Sequence, residues 1–396
     1  MKMDKLKKIF VNHGQRLLVV CVYRFSLLLV KTRNRNQPLQ QWVIGTDEVA
    51  GVLGRLGEIF PNSKVVCFTP IKNSSETYTF SILPGRFSYL KRLLLGPILF
   101  GYYSAQRRNF FYVWNTGFIL NREFEMNFLK RHGCRIVVMC CGDEIRSIRK
   151  QRTLARLAGR DSFVNYGPYV MSEDLLDKYE LSREVWAQTL MSKVDVVFNA
   201  PNCQSSYLPD AAENVYHSHG FFFARQVAVH PFELEVGQKA KIIHAPSSLN
   251  TKGTMLVRAA IHSLQKNRND FEYIELVNEP HHKVMTALQT SHICLNQFLS
   301  FGTGIFGLEA MAAGNAVLMS ADPNQEPSIL PWVEGRPAWL VTQSWEIEKN
   351  LSLLLDDENL RRSISREGLS YIRSHYSIDS AAKRIIEPLR TSGLIG

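Results

Sequence analysis

The stretch 296–319, NQFLSFGTGIFGLEAMAAGNAVLM, constrains the fold of this chain more than any other. It reads as a two-glycine loop, a helix and a strand in direct succession. Gly302 and Gly304 let the backbone turn where side chains would crowd a ligand. Ile305–Ala313 contains good or tolerable helix formers, Gly314 stands where a helix stops, and Ala316–Met319 is a short apolar strand. The unpaired N–H groups at such a helix start, with the positive end of its dipole, suit a phosphate. Glu309, about one turn into the helix, is placed to accept hydrogen bonds from paired hydroxyls such as those of a ribose. The same pattern also fits a βαβ unit whose tight turn binds nothing.

A second unit repeats the arrangement. Ala240–Ala245 is a short apolar strand that ends at Pro246, and Ser247–Thr251 forms the loop. Lys252-Gly253-Thr254 follows, and then Val257, Ala260, Ile261 and Leu264 recur at helical spacing. A lysine at a strand-to-helix turn is a mobile point charge suited to a diphosphate, or else a solvated turn residue. Two such units, roughly 50 residues apart, place both loops at the carboxyl ends of neighbouring strands, where ligands of open α/β sheets bind.

The pair HAPSSLNTKGT and NQFLSFGTGIFGLEAMAAG resembles the donor half of retaining GT-B glycosyltransferases of family four, the group 1 type. Gln297 precedes Glu309 as in one branch of that family. Phe301 stands where the family has an earlier glutamate, and Ser247, Ser248 and Leu249 occupy the places of a basic partner to the lysine. The resemblance implies an α/β GT-B fold. Two Rossmann-like doubly wound domains would face each other across a cleft, with a C-terminal helix crossing back. It implies Glu309 and Lys252 as catalytic residues. Ser247, Lys252, Gln297, Gly302, Gly304, Ile305 and Glu309 would bind the donor. The implied activity is retaining hexosyl transfer from a nucleotide-diphosphate sugar to a glycan or lipid-linked acceptor, without a metal or other cofactor. Cell-surface polysaccharide or glycolipid synthesis is the implied setting. A non-catalytic nucleotide- or glycan-binding protein of this fold, or a sugar-nucleotide epimerase, are the other readings.

The first half carries a weaker likeness. Arg135–Cys140 is a buried-strand run, and Cys141-Gly142-Asp143-Glu144-Ile145-Arg146 resembles the His-Gly-Ser-Asp-Val-Arg turn of the same family's acceptor domain. Gly142, Glu144 and Arg146 then lie on the acceptor side, with Cys141 where histidine is usual. Glu144 and Arg146 fit a surface ion pair at a strand end equally well. The resulting map has an acceptor-side domain at 1–222, an interdomain passage at 223–237 whose onset reads from His217, a donor domain at 238–375, and the returning helix at 376–396.

A chain of 396 residues exceeds one ordinary core and suits two α/β domains. The seven cysteines, Cys21, Cys67, Cys134, Cys140, Cys141, Cys203 and Cys294, show no Cys-x-x-Cys spacing, and several lie in apolar runs. This fits free thiols in a reducing cytosol and argues against a disulfide scaffold or zinc site. The adjacent His281 and His282 would point in different directions on a helix, so a surface loop is assigned to them.

Charge is uneven. Residues 1–150 hold 24 Lys and Arg against 9 Asp and Glu, so the remainder is acidic within an overall charge of +11. The first 35 residues contain nine basic side chains and the single acid Asp4. Leu17–Val30 is apolar apart from Arg24 and Ser26, and falls short of the ~20 residues of a bilayer crossing. Tyr89–Tyr103, with Lys91 and Arg92 before Leu93–Phe100, is a second such segment. Interfacial helices on an anionic membrane, or core helices with a solvated basic face, are the two readings of both. The former makes the protein cytoplasmic and peripheral on the inner face of the membrane. Nucleic acid is not an expected partner, because no recognition motif accompanies the positive charge.

Overall fold

The computed structural model describes residues 2–31, 42–70, 76–106, 108–200, 205–217, 221–224, 233–234, 237–326 and 328–396. Arg33, Arg35, Cys203 and most of the passage 223–237 lie outside the described residues, as do the side chains of Lys2, Lys5, Lys7, Lys8 and Lys31.

In the first half, α1 (Lys2–Lys31) precedes β1 (Trp42–Asp47), α2 (Val52–Ile59), β2 (Lys64–Thr69) and β3 (Phe80–Ser81). Next come α3 (Ser88–Ala105), β4 (Asn109–Val113), α4 (Arg122–Arg131) and β5 (Ile136–Cys140). The half closes with α5 (Ile148–Leu157), α6 (Glu173–Lys193), β6 (Val196–Asn199) and β7 (Val215–His217). Its parallel strands run in the order β3-β2-β1-β4-β5-β6-β7. β4, β5 and β6 are buried at every position, as expected of parallel strands covered on both faces. Strand order reverses between β1 and β4, which opens a crevice beyond their carboxyl ends.

The second half contains β8 (Ala240–His244), α7 (Thr254–Gln265), β9 (Phe271–Glu275), α8 (His281–Leu288) and β10 (Ile293–Leu295). α9 (Gly304–Ala312), β11 (Ala316–Met319), β12 (Leu340–Val341), α10 (Ile347–Asp356) and α11 (Glu358–His375) complete it. The parallel order is β12-β11-β10-β8-β9, so the reversal falls between β8 and β10. The two glycine loops singled out in the sequence follow these two strands. α12 (Ile378–Thr391) crosses back: Ala381, Ile385 and Leu389 are buried in one core with Trp42, Phe111 and Val137. Tyr216 and Ser392 hydroxyls meet at 2.8 Å. This is the doubly wound two-sheet fold with a returning helix. One boundary differs, because His217 ends β7 and does not open the passage.

α1 runs along α3 in the same direction, with Gln15 against Leu93 and Val19–Tyr23 against Gly101. Pro97 lacks an N–H, so the Leu93 carbonyl loses its helical partner. Gln15 replaces it, donating from Nε2 at 3.0 Å while its Oε1 accepts the Leu120 N–H. At Gly101 a Cβ would stand 2.8 Å from the Val19 carbonyl oxygen, so the two helices touch through backbone. Among the described residues no helix is long and apolar enough to cross a membrane.

Candidate active site

Two amides beyond β10 hold the loop that follows. Asn296 donates to the Thr303 carbonyl at 2.5 Å and Gln297 to the Gly302 carbonyl at 2.6 Å. Ser320, just past β11, donates to the Ser300 carbonyl at 2.7 Å. Held from the sheet side, the loop enters α9 at Gly304, whose φ of +63° disfavours any side chain. The first residues of α9, Gly304, Ile305 and Phe306, line a cleft, which brings the unpaired N–H groups of a helix start to it.

The loop after β8 is tied to the first one. His244 is buried, with Nδ1 2.7 Å from the Leu295 carbonyl and Nε2 3.0 Å from the Thr254 hydroxyl. Burial lowers its pKa and keeps the ring neutral. A carbonyl only accepts, so Nδ1 carries the proton and Nε2 accepts from Thr254. Lys252 then donates from Nζ to Gln297 Oε1, linking both loops through side chains.

The cleft holds about 670 Å³ and lies between the halves. Ser247, Lys252, Gly304, Ile305 and Glu309 line it from the second half; Ala50, Gly51, Arg55 and Glu76 line it from the first. Gln297 and Gly302 stand behind this wall, and Gln297 is buried against Lys252. Glu309 accepts from His281 Nε2 at 2.9 Å and lies 3.9 Å from Arg55 Nη2. Arg55 Nη1 is 3.9 Å from Glu76. Charges thus alternate across the cleft in the order His281, Glu309, Arg55, Glu76. Arg55 is fixed by the Phe223 carbonyl at 3.1 Å, the Ala50 carbonyl at 3.2 Å and the Phe222 ring at 4.7 Å.

His281 therefore does not sit in a detached surface loop. It opens α8, and the hydrogen bond to Glu309 raises its pKa. Arg55 and Glu76 were not singled out from the sequence, and His281 was noted there only as a surface-loop residue. For Arg55 a signal existed, the recurring glycines Gly51, Gly54 and Gly57 that start and punctuate α2 just after β1.

A second set of contacts joins the halves. Leu299, from the loop after β10, is buried among Ile148, Phe163, Val164 and Leu176 of the first half. The Phe163 N–H donates to the Leu299 carbonyl at 2.8 Å. Arg160 reaches the Ser320 carbonyl at 3.4 Å and Asp322 at 3.5 Å, and lies 5.8 Å from the centre of the Phe301 ring.

Gly142, Glu144 and Arg146 are not among the residues lining the cleft. Glu144 is buried and accepts the Cys141 and Gly142 N–H groups, while burial pushes its carboxyl up to about 7. Arg146 is also buried and pairs with Asp143, so the surface pair between Glu144 and Arg146 is not formed. Among the described residues no cluster of three or more His, Cys, Asp or Glu is placed to hold a metal.

No protein-family model and no curated protein matches this sequence. Solved structures do. HepE from Anabaena, determined with UDP-glucose, is 11% identical with a TM-score of 0.54, over 89% of this chain and 99% of that one. Sucrose-phosphate synthase from Thermosynechococcus elongatus is 11% identical with a TM-score of 0.53, over 90% and 99%. At such identity the likeness concerns architecture, and the architecture is GT-B.

Proposed function

We propose that this chain is a glycosyltransferase that moves a hexose from a nucleotide-diphosphate sugar to a glycan or lipid-linked acceptor, with retention at the anomeric carbon. One observation carries this reading: Lys252 and the start of α9 share a cleft with the buried Glu309 carboxylate. The lysine and the helix start take the diphosphate, and Glu309 takes the ribose diol. The acceptor oxygen bonds to the anomeric carbon on the face from which the diphosphate departs, the bond from that carbon to the diphosphate breaks, and the acceptor hydroxyl's proton passes to the departing phosphate oxygen. Charge growing on the leaving diphosphate is met by Lys252 and the α9 dipole. Those groups do the work of a divalent cation, so donor binding is expected to persist in a chelator. Titration with and without EDTA checks this, and loss of binding in EDTA would assign the diphosphate to a metal.

Ser247 and Ile305 complete the donor side, while Gln297 and Gly302 shape it from behind. Gly142, Glu144 and Arg146 serve the acceptor side, within a division at 1–222, 223–237, 238–375 and 376–396. The basic first 150 residues hold the enzyme on the inner, anionic face of the membrane, in polysaccharide or glycolipid synthesis. HepE was solved with UDP-glucose, so that donor comes first in a panel of nucleotide sugars. Lys252→Ala is expected to weaken donor binding roughly 10- to 100-fold, the worth of one charge-assisted contact. Glu309→Gln should weaken the nucleoside diphosphate itself. Unchanged affinities in both variants would remove the assignment. Phe301 beneath Arg160 favours a second reading, a nucleotide-binding protein without turnover. Transfer of labelled sugar onto a lipid extract decides between them.

A further inference from the structure

The outer faces of α1 and α3 are apolar where a core helix would be charged. On α1, Gln15, Val19 and Ser26 are buried against the domain, while Leu17, Phe25, Leu28 and Leu29 are exposed, Leu17 at 67%. Phe87, which caps α3, and Leu90, Leu94, Ile98 and Tyr102 on it are exposed and recur at intervals of three and four residues, one face of a helix. Arg24, Arg86 and Lys91 are exposed in or beside these stripes. From Lys5 to Thr46, and again from Thr77 to Arg122, the sequence contains no Asp or Glu. A helix pair that simply solvates its outer face carries both signs of charge.

We propose that α1 and α3 form one docking face whose occupant is an anionic lipid bilayer. The proposal rests on the membrane reading given above and assigns it to a surface. Apolar side chains enter the headgroup zone and the basic ones meet lipid phosphates, with the helices lying in the interface, since among the described residues none is long and apolar enough to cross it. A second copy of the chain suits the face poorly. Two copies would press Arg24, Arg86 and Lys91 against their own counterparts, with no acid to balance them. Parallel packing through Gly101 and the Gln15 bridge holds both stripes on one rigid unit.

The face is also coupled to the cleft. Arg92 of α3 pairs with Asp47 at 3.2 Å and donates to the Gly117 carbonyl at 3.3 Å. Asp47 ends β1, and Ala50 and Gly51, just beyond it, line the cleft. A bilayer on α1 and α3 therefore bears on the acceptor half at the strand that leads into the cleft, which suits an acceptor delivered from lipid.

The test uses the full chain with vesicles of phosphatidylcholine alone and of phosphatidylcholine mixed with phosphatidylglycerol. Wild type is expected to co-sediment with the mixed vesicles at low salt and to be released at high salt. Leu94→Gln with Ile98→Gln should lower partitioning by about 10-fold or more, since each leucine-sized side chain withdrawn from the interface matters, while nucleotide affinity stays unchanged. Leu94→Trp should blue-shift on mixed vesicles, and Leu256→Trp on α7 should not. If wild type binds but the α3 variants bind equally well, the assigned face is wrong and the membrane reading stands. If wild type binds neither vesicle, both fall. A dimer that Leu94→Gln dissociates, without vesicle binding, would hand the face to a second copy.

Discussion

Glu309 is shared between two cations, and that sharing makes its chemistry testable by pH. His281 donates to it at 2.9 Å, and this bond raises the His281 pKa above the ordinary 6.5, with Glu76 adding to the effect and Arg55 opposing it. The pair therefore stabilises the protein fully below the ordinary histidine value and loses that contribution as pH rises through the raised one. A ribose diol that takes Glu309 away from His281 makes the ring release a proton. Nucleoside diphosphate affinity should then rise with pH across the same window. Titration of uridine diphosphate at several pH values should give a steeper rise for wild type than for His281→Gln, a difference that also cancels titration of the phosphate. Parallel curves would mean that Glu309 keeps its partner. Glu309 was legible because its place one turn into a glycine-started helix is a local signal. His281 and Glu76 were not, since their nearness to Glu309 comes from tertiary packing that no local spacing encodes.

At the scale of elements, the α1–α3 contact sets a substitution in which two effects compete. Gly101→Ala gains about 1 kcal/mol of helix propensity. The new Cβ would meet the Val19 carbonyl at 2.8 Å, a backbone atom that moves only with the whole of α1. Overpacking of that kind costs about 1–3 kcal/mol, so a net loss is expected. Urea denaturation reads it as a lower midpoint, and an increase would show that the helices are not in close contact. α6 was not singled out, and α1 only over its apolar Leu17–Val30, whereas the central strands were readable from buried runs, often to within a residue or two, as at Ala316–Met319. β3, β7 and β12 were not: two or three residues at or near a sheet edge carry no pattern. α1 and α3 stayed ambiguous because one apolar face packs inward and another points outward, so hydrophobicity alone could not choose.

For the whole molecule, the decisive contact is Leu299 buried in the first half. The loop after β10 to which it belongs is shaped by Asn296 and Gln297, and from the first half it meets the Phe163 N–H at the Leu299 carbonyl and Arg160 at the Phe301 ring. Leu299→Ala should lose about 2–5 kcal/mol, as for other buried leucines, and should also weaken nucleoside diphosphate binding. Leu264→Ala, in the core beneath α7, should cost similar stability and leave affinity intact. Equal affinity in both variants would make the contact merely structural. The doubly wound sheets and the returning helix were legible through the likeness of the donor half, whereas this contact joins residues whose partners the chain brings together only on folding. It also bears on inheritance. A plug in one half and its socket in the other make the halves a matched pair, so a second half moved by recombination onto a different first half arrives without its socket. Such chimaeras would function only when residues 148–176 travel with 297–322. Lineages of this fold should then exchange the two segments together, or not at all.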